Sequence, residues 1–178
     1  ETLGITAYAT GDFALALREL RTFRRLSGSN DQLALMIDSE RGVGRPERAL
    51  ELGRSVVRST LPVLAQVSVA IAMSGAHLDL GDTDRALLEL EIPQLDPDRA
   101  FEYSPALFDA YAAVLAEVGR DDDAATWAAR AERAADALDA RDAAGETLDV
   151  IEERLPGVPQ DEDEEATPAI EPETDMPL

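Results

Sequence analysis

The ionisable side chains of this sequence are lopsided: 37 carboxylates face 16 basic residues, all of them arginine, with one histidine and no cysteine. The missing thiol rules out a cysteine nucleophile, a disulfide framework and any Cys-ligated zinc or iron–sulfur site. His77 has no second histidine or cysteine to share a metal with, and no serine–histidine pattern makes it the base of a triad; it reads as a packing or hydrogen-bonded residue. Acid–base catalysis by paired carboxylates would need two acids facing one pocket with displaced pKa values. Asp79 and Glu117 are the only inward-facing candidates, and they lie in separate segments. Asp121-Asp122-Asp123 resembles a cluster of metal ligands, but three acids opening a helix complement the positive end of its dipole. The expectation is a chain without catalytic residues, metal or cofactor.

Arginine provides the other candidate chemistry. Arg18, Arg21 and Arg25 recur at i, i+3 and i+7, which places them on one face of a helix. Arg54 and Arg58 point away from the apolar Ala49 and Val56 and extend that face. A phosphate or RNA dock is one reading, and a solvated outer face is the other. The net charge of -21 opposes the first, because cations supply most of the non-specific affinity for nucleic acid. The charge is also uneven. Residues 1 to 60 hold nine arginines against eight acids, residues 61 to 155 seven against twenty-one, and residues 156 to 178 eight acids and no base. This field favours basic or apolar partners. All-arginine basicity with abundant alanine and aspartate also suggests a high-GC bacterial genome.

The elements that must position these residues are marked by glycine. Gly11, Gly44, Gly81 and Gly119 are each followed five residues later by alanine, at Ala16, Ala49, Ala86 and Ala124, with glycine spacings of 33, 37 and 38 residues. Each copy reads as helix, tight turn, helix: Leu33 to Ile37 before Gly44 and Ala49 to Leu52 after it, Val67 to Leu80 before Gly81 and Ala86 to Leu90 after it. Seven residues before each glycine stand Gly4, Ile37, Ser74 and Ala112. Eight before stand Leu3, Met36, Met73 and Tyr111, and nine after stand Leu20, Gly53, Leu90 and Ala128. This pattern over residues 1 to 140 resembles the tetratricopeptide repeat (TPR) family, with departures at Ile37, Gly53 and Ala128 and without the family's terminal proline in most copies. The resemblance implies an all-α protein, a right-handed α-solenoid of about four helix pairs with a C-terminal capping helix.

In chain order, the copies cover about 1–30, 31–60, 61–102 and 103–140, followed by a cap at 145–155 and an acidic, proline-rich, disordered tail at 156–178. The chain opens at Glu1 inside what reads as the first helix, where Leu3, Ile5 and Ala7 are expected to pack, so upstream residues are expected too. Ile92-Pro93-Gln94-Leu95-Asp96-Pro97-Asp98 cannot be helical and makes a long link into the fourth copy. Phe108 and Tyr111 read as core, whereas Phe101 and Tyr103 are open to a role in partner binding. The apolar run from Leu61 to Leu78 is interrupted by Gln66, Ser68, Ser74 and His77 and is too short for a membrane span. A cytoplasmic protein is expected.

In the family this resembles, the first helix of each pair lines a concave groove. Residues three, six and ten before each glycine then face it: Tyr8, Ile5 and Glu1; Arg41, Asp38 and Ala34; Leu78, Gly75 and Ile71; Ala116, Ala113 and Asp109. TPR domains that grip a terminal carboxylate place several cations there, and here Arg41 is alone. The lining, chiefly Tyr8, Asp38, Arg41, Ile71, Leu78 and Asp109, suits a protein segment with apolar anchors and basic residues. The expected role is a non-catalytic interaction scaffold, and the arginine face as a phosphate or RNA dock is the alternative.

Overall fold

The four glycines set the architecture because each ends one helix and starts the next with the same hydrogen bonds. Their φ angles are 78°, 75°, 74° and 75° at Gly11, Gly44, Gly81 and Gly119, a left-handed conformation that only glycine adopts without steric cost. Each glycine N–H donates to the carbonyl three residues back, on Tyr8, Arg41, Leu78 or Ala116. The following N–H, of Asp12, Arg45, Asp82 or Arg120, donates to the carbonyl five back, on Ala7, Glu40, His77 or Leu115. Carbonyls left orphaned at a helix end are satisfied in this way. The same post-glycine residue accepts the first bond of the next helix, from Ala16, Ala49, Ala86 or Ala124. Asp12 and Asp82 also cap with their side chains, accepting from the N–H groups of Leu15 and Arg85 at 3.1 and 3.2 Å. Arg45 has no such side chain, and Pro46 supplies a preset first turn instead.

The computed structural model describes residues 1–145, and the described residues are helical without strands. Eight α-helices follow one another: α1 (Thr2–Ala9), α2 (Phe13–Ser27), α3 (Leu33–Gly42), α4 (Pro46–Arg54), α5 (Val63–Asp79), α6 (Thr83–Leu90), α7 (Ser104–Glu117) and α8 (Asp121–Gly145), with a short 3-10 turn at Arg58–Thr60 between α4 and α5. Packing is between near neighbours. Each odd helix packs on the even helix after it, and also on the next odd helix: α1 on α3, α3 on α5, and α5 on α7. No helix among the described residues is long and apolar enough to cross a membrane. The expected cap beyond Gly145 and the tail at 156–178 lie outside the described residues.

The core forms where paired helices cross. Leu33, Ile37, Ala49, Leu50, Val69, Met73 and Ala76 fill the layer between α3, α4 and α5. Val67, Ala86, Leu90, Leu107, Tyr111, Val114 and Leu115 fill the layer between α5, α6 and α7. Ala16, Ala49 and Ala86 are fully buried, which explains a small side chain five residues after the glycine. Phe108 and Tyr111 are core, and both meet the Trp127 ring edge-on, at centroid distances of 5.2 and 5.0 Å.

Two sequence expectations are corrected. Helix α1 buries Gly4 and Ala7, while Leu3 and Ile5 are exposed, because close approach to α2 is possible only along the small residues at i and i+3. Helix α4 stops at Arg54. Val57 is extended and Arg58 opens the 3-10 turn, so helical spacing does not relate Arg58 to Arg54.

Candidate functional site

Successive odd helices bring together three of the expected groove residues and one that was considered only for catalysis. Arg41 lies near the end of α3. Its Nη1 donates to Asp38 Oδ1 on the same helix at 2.8 Å, and its Nε and Nη2 donate to Asp79 Oδ2 and Oδ1 at 2.7 and 3.3 Å at the end of α5. The second carboxylate thus takes the guanidinium edge as a bidentate pair. Tyr8, from α1, donates its hydroxyl to Asp38 Oδ2 at 3.3 Å. Phe13, at the start of α2, meets the Tyr8 ring edge-on at 5.9 Å. These residues and Gly42 line an open depression of about 340 Å³.

Two glycines make the arrangement possible. A Cβ at Gly75 would collide with the Arg41 guanidinium, and a Cβ at Gly42 would collide with the Phe13 ring. Arg41 therefore lies flat across α5, where Asp79, four residues beyond Gly75, receives it. The electrostatics follow the geometry. Burial works against the charge on Arg41, but the hydrogen bonds to Asp79 and Asp38 outweigh it and hold the pKa above its ordinary value. Burial, reinforced by the Asp38 carboxylate, raises the Tyr8 pKa and keeps the phenol a hydrogen-bond donor. Two carboxylates share one cation, so the depression keeps a negative charge.

The other expected groove residues are dispersed. Ile71 and Leu78 are half-buried on the same side of α5 as Gly75, and both pack against the α5–α6–α7 core. Asp109 and Glu117 are exposed on α7 and do not line the depression. Asp79 is committed to Arg41, and Glu117 is exposed at the end of α7.

The arginine face is divided. Arg18 pairs with Glu19 at 3.0 Å, and Arg21 pairs with Glu40. Arg58 is half-buried, bound to Glu89 and within 3.4 Å of the Met73 sulfur. Arg25 and Arg54 are exposed. Asp121, Asp122 and Asp123 open α8 on the surface, with Asp123 paired to Arg120, and no group of three or more metal-ligating side chains occurs among the described residues.

Sequence reasoning missed one buried charge. Glu40 is 2% exposed, held by Arg21 from α2 and approached by Arg45 at 3.8 Å, and its Oε2 has no hydrogen-bond partner among the described residues. It stands four residues before Gly44, where the other copies hold Ala7, His77 and Leu115, all buried. That shared register was the available signal. His77 is equally buried; its Nε2 lies 3.9 Å from Glu89 Oε1 and its Nδ1 has no partner among the described residues. Burial lowers its pKa, against the pull of Glu89 and Asp82.

No protein-family model matches the chain, and no curated protein matches it either.

Proposed function

We propose that this chain is a non-catalytic interaction module: a TPR-like right-handed solenoid of helix pairs that holds a protein segment carrying a basic side chain and apolar anchors. The observation that carries the reading is the convergence of Asp38 and Asp79 on the single cation Arg41, in an open depression edged by the rings of Tyr8 and Phe13. An arginine or lysine of the partner takes up the carboxylate lone pairs that Arg41 leaves free, and its stem lies along the rings. Half-buried Leu78 and Ile71 continue along α5 as the apolar part of the surface. The lining holds one donor hydroxyl and no activated nucleophile, which favours binding over catalysis.

Selection of twelve-residue peptides from a random library tests this. Binders should be enriched in arginine or lysine next to a large apolar residue, and Asp79→Asn should weaken them about tenfold, in line with loss of a charge-assisted pair. Enrichment of acidic peptides, or binders indifferent to both Asp79→Asn and Tyr8→Ala, would remove this site from the reading.

A further inference from the structure

The thirteen residues between α6 and α7 build a second polar site, remote in sequence from the first. Ser104, fully buried at the start of α7, accepts from the Phe101 N–H at 2.9 Å and donates to the Arg99 carbonyl at 3.4 Å, and its own N–H donates to the Phe101 carbonyl at 2.8 Å. These bonds hold the backbone of residues 99–101. The Arg99 guanidinium lies over the Phe101 ring at 4.8 Å, and Phe101 stacks on Tyr103 at 5.2 Å and 16°. Leu95 anchors the other end of the link against Phe108, Ala131 and Ala134. From the opposite side, α8 presents Arg130, held at 4.5 Å over the Trp127 ring, and Arg133. Arg99, Arg130 and Arg133 line one small cleft of about 140 Å³ with Pro97, Asp98 and Phe108.

The charges in this cleft are unspent. None of the three arginines forms an ion pair among the described residues, although the chain carries a net charge of -21 and Asp136 lies one helical turn beyond Arg133. Three guanidinium groups against the single carboxylate of Asp98 leave an excess of two positive charges. Two of the three are oriented by aromatic rings, so little side-chain entropy remains to be lost on binding. Three planar forks approaching from two elements match an anion with several oxygens directed out of one plane.

We propose that this cleft binds a phosphate dianion, either as a free or small-molecule phosphate or as a phosphorylated side chain of a protein partner. The site is distinct from the Tyr8–Asp38–Arg41 depression and from the arginines of α2 and α4.

Calorimetric titration of the full chain with inorganic phosphate, with a phosphoserine peptide and with the same peptide carrying aspartate tests it. Arg133→Gln and Arg130→Gln should each weaken binding about tenfold or more. Arg130→Lys should fall in between, keeping charge but losing the fork. Arg25→Gln, which removes an exposed arginine elsewhere, should leave affinity unchanged, and circular dichroism should show every variant folded. A phosphoserine peptide binding far more tightly than inorganic phosphate assigns the site to a modified partner, and equal affinities assign it to a small phosphate. No binding of either probe, an equal effect of Arg25→Gln, or an aspartate peptide as good as the phosphoserine one overturns the proposal.

Discussion

The first two helix pairs solve one packing problem in opposite ways. In α1 and α2 the small partner is Gly4, seven residues before the turn glycine, and the large one is the fully buried Leu20, nine after it; a Cβ on Gly4 would come within 2.8 Å of Leu20. In α3 and α4 the sizes are exchanged. Ile37 takes the small position and Gly53 the large one, and a Cβ on Gly53 would meet the Ile37 side chain at 3.3 Å and the Met73 sulfur at 2.5 Å. What recurs is thus the volume shared by two facing positions, with the large side chain free to come from either helix. Read singly, Ile37 and Gly53 look like two departures from the pattern. Together they restore the small–large combination that Gly4 and Leu20 make in pair one.

The same two pairs differ at the residue four before the turn. Pair one buries Ala7, which needs no partner, whereas pair two buries Glu40, which draws Arg21 across from α2. Pair three buries His77 at this position, beside the Arg58–Glu89 ion pair. A buried charge is tolerated only with a partner supplied from another element, so Glu40 ties pair two to pair one electrostatically as well as by packing, whereas His77 has its neighbour Glu89 within its own pair.

Substitutions at the facing positions and at the buried charge test what separates the two pairs. Ile37→Ala should cost the most, about 2–5 kcal/mol by denaturant unfolding, because Gly53 opposite cannot fill the void. Gly53→Leu alone should overpack against Met73 and Ile37 and cost about 1–3 kcal/mol. The double variant should then be more stable than the sum of the two single effects by about 1 kcal/mol or more, since it rebuilds the small–large order of pair one; strict additivity would show that the two positions do not share a volume. Arg21→Ala should cost about 1 kcal/mol, reduced by the half-exposure of its side chain, and Glu40→Leu in that background should recover it.

The smallest effect concerns pH. The folded pKa of His77 lies below its unfolded value near 6.5. Above that pH the residue is neutral in both states. As the pH falls through it, the unfolded chain takes up a proton that the folded chain refuses, so stability is lost on acidification. Tm measured from pH 7.5 downward should fall less steeply in His77→Phe than in the parent; identical slopes would show that His77 does not titrate differently on folding.

Much of the scaffold was legible before any coordinates. Glycine followed at a fixed interval by alanine, buried at three of the four turns, identifies the turns, because left-handed backbone and close helix crossing each admit few residue types. The dipole-matching acids that open α8, the proline-broken link after Leu90 and the core placement of Phe108 and Tyr111 follow from equally local rules. Tyr8, Arg41 and Asp38 were expected on one surface from their offsets of three, three and six residues before a turn glycine. Tertiary structure alone decided what they do with one another. Asp79 joins them because α5 places Gly75 under the Arg41 guanidinium, and no pattern within one copy encodes a contact made between copies. Arg21 and Arg58 look like solvent-facing arginines in a linear reading and are paired because Glu40 and Glu89 arrive from other helices. Arg99, Arg130 and Arg133 stand more than thirty positions apart from first to last, and a buried serine and a folded link bring them to one cleft. Local sequence determines where helices begin and end, because capping and glycine geometry act over a few residues. Which charges meet is a matter of distances across helices, and only packing sets those.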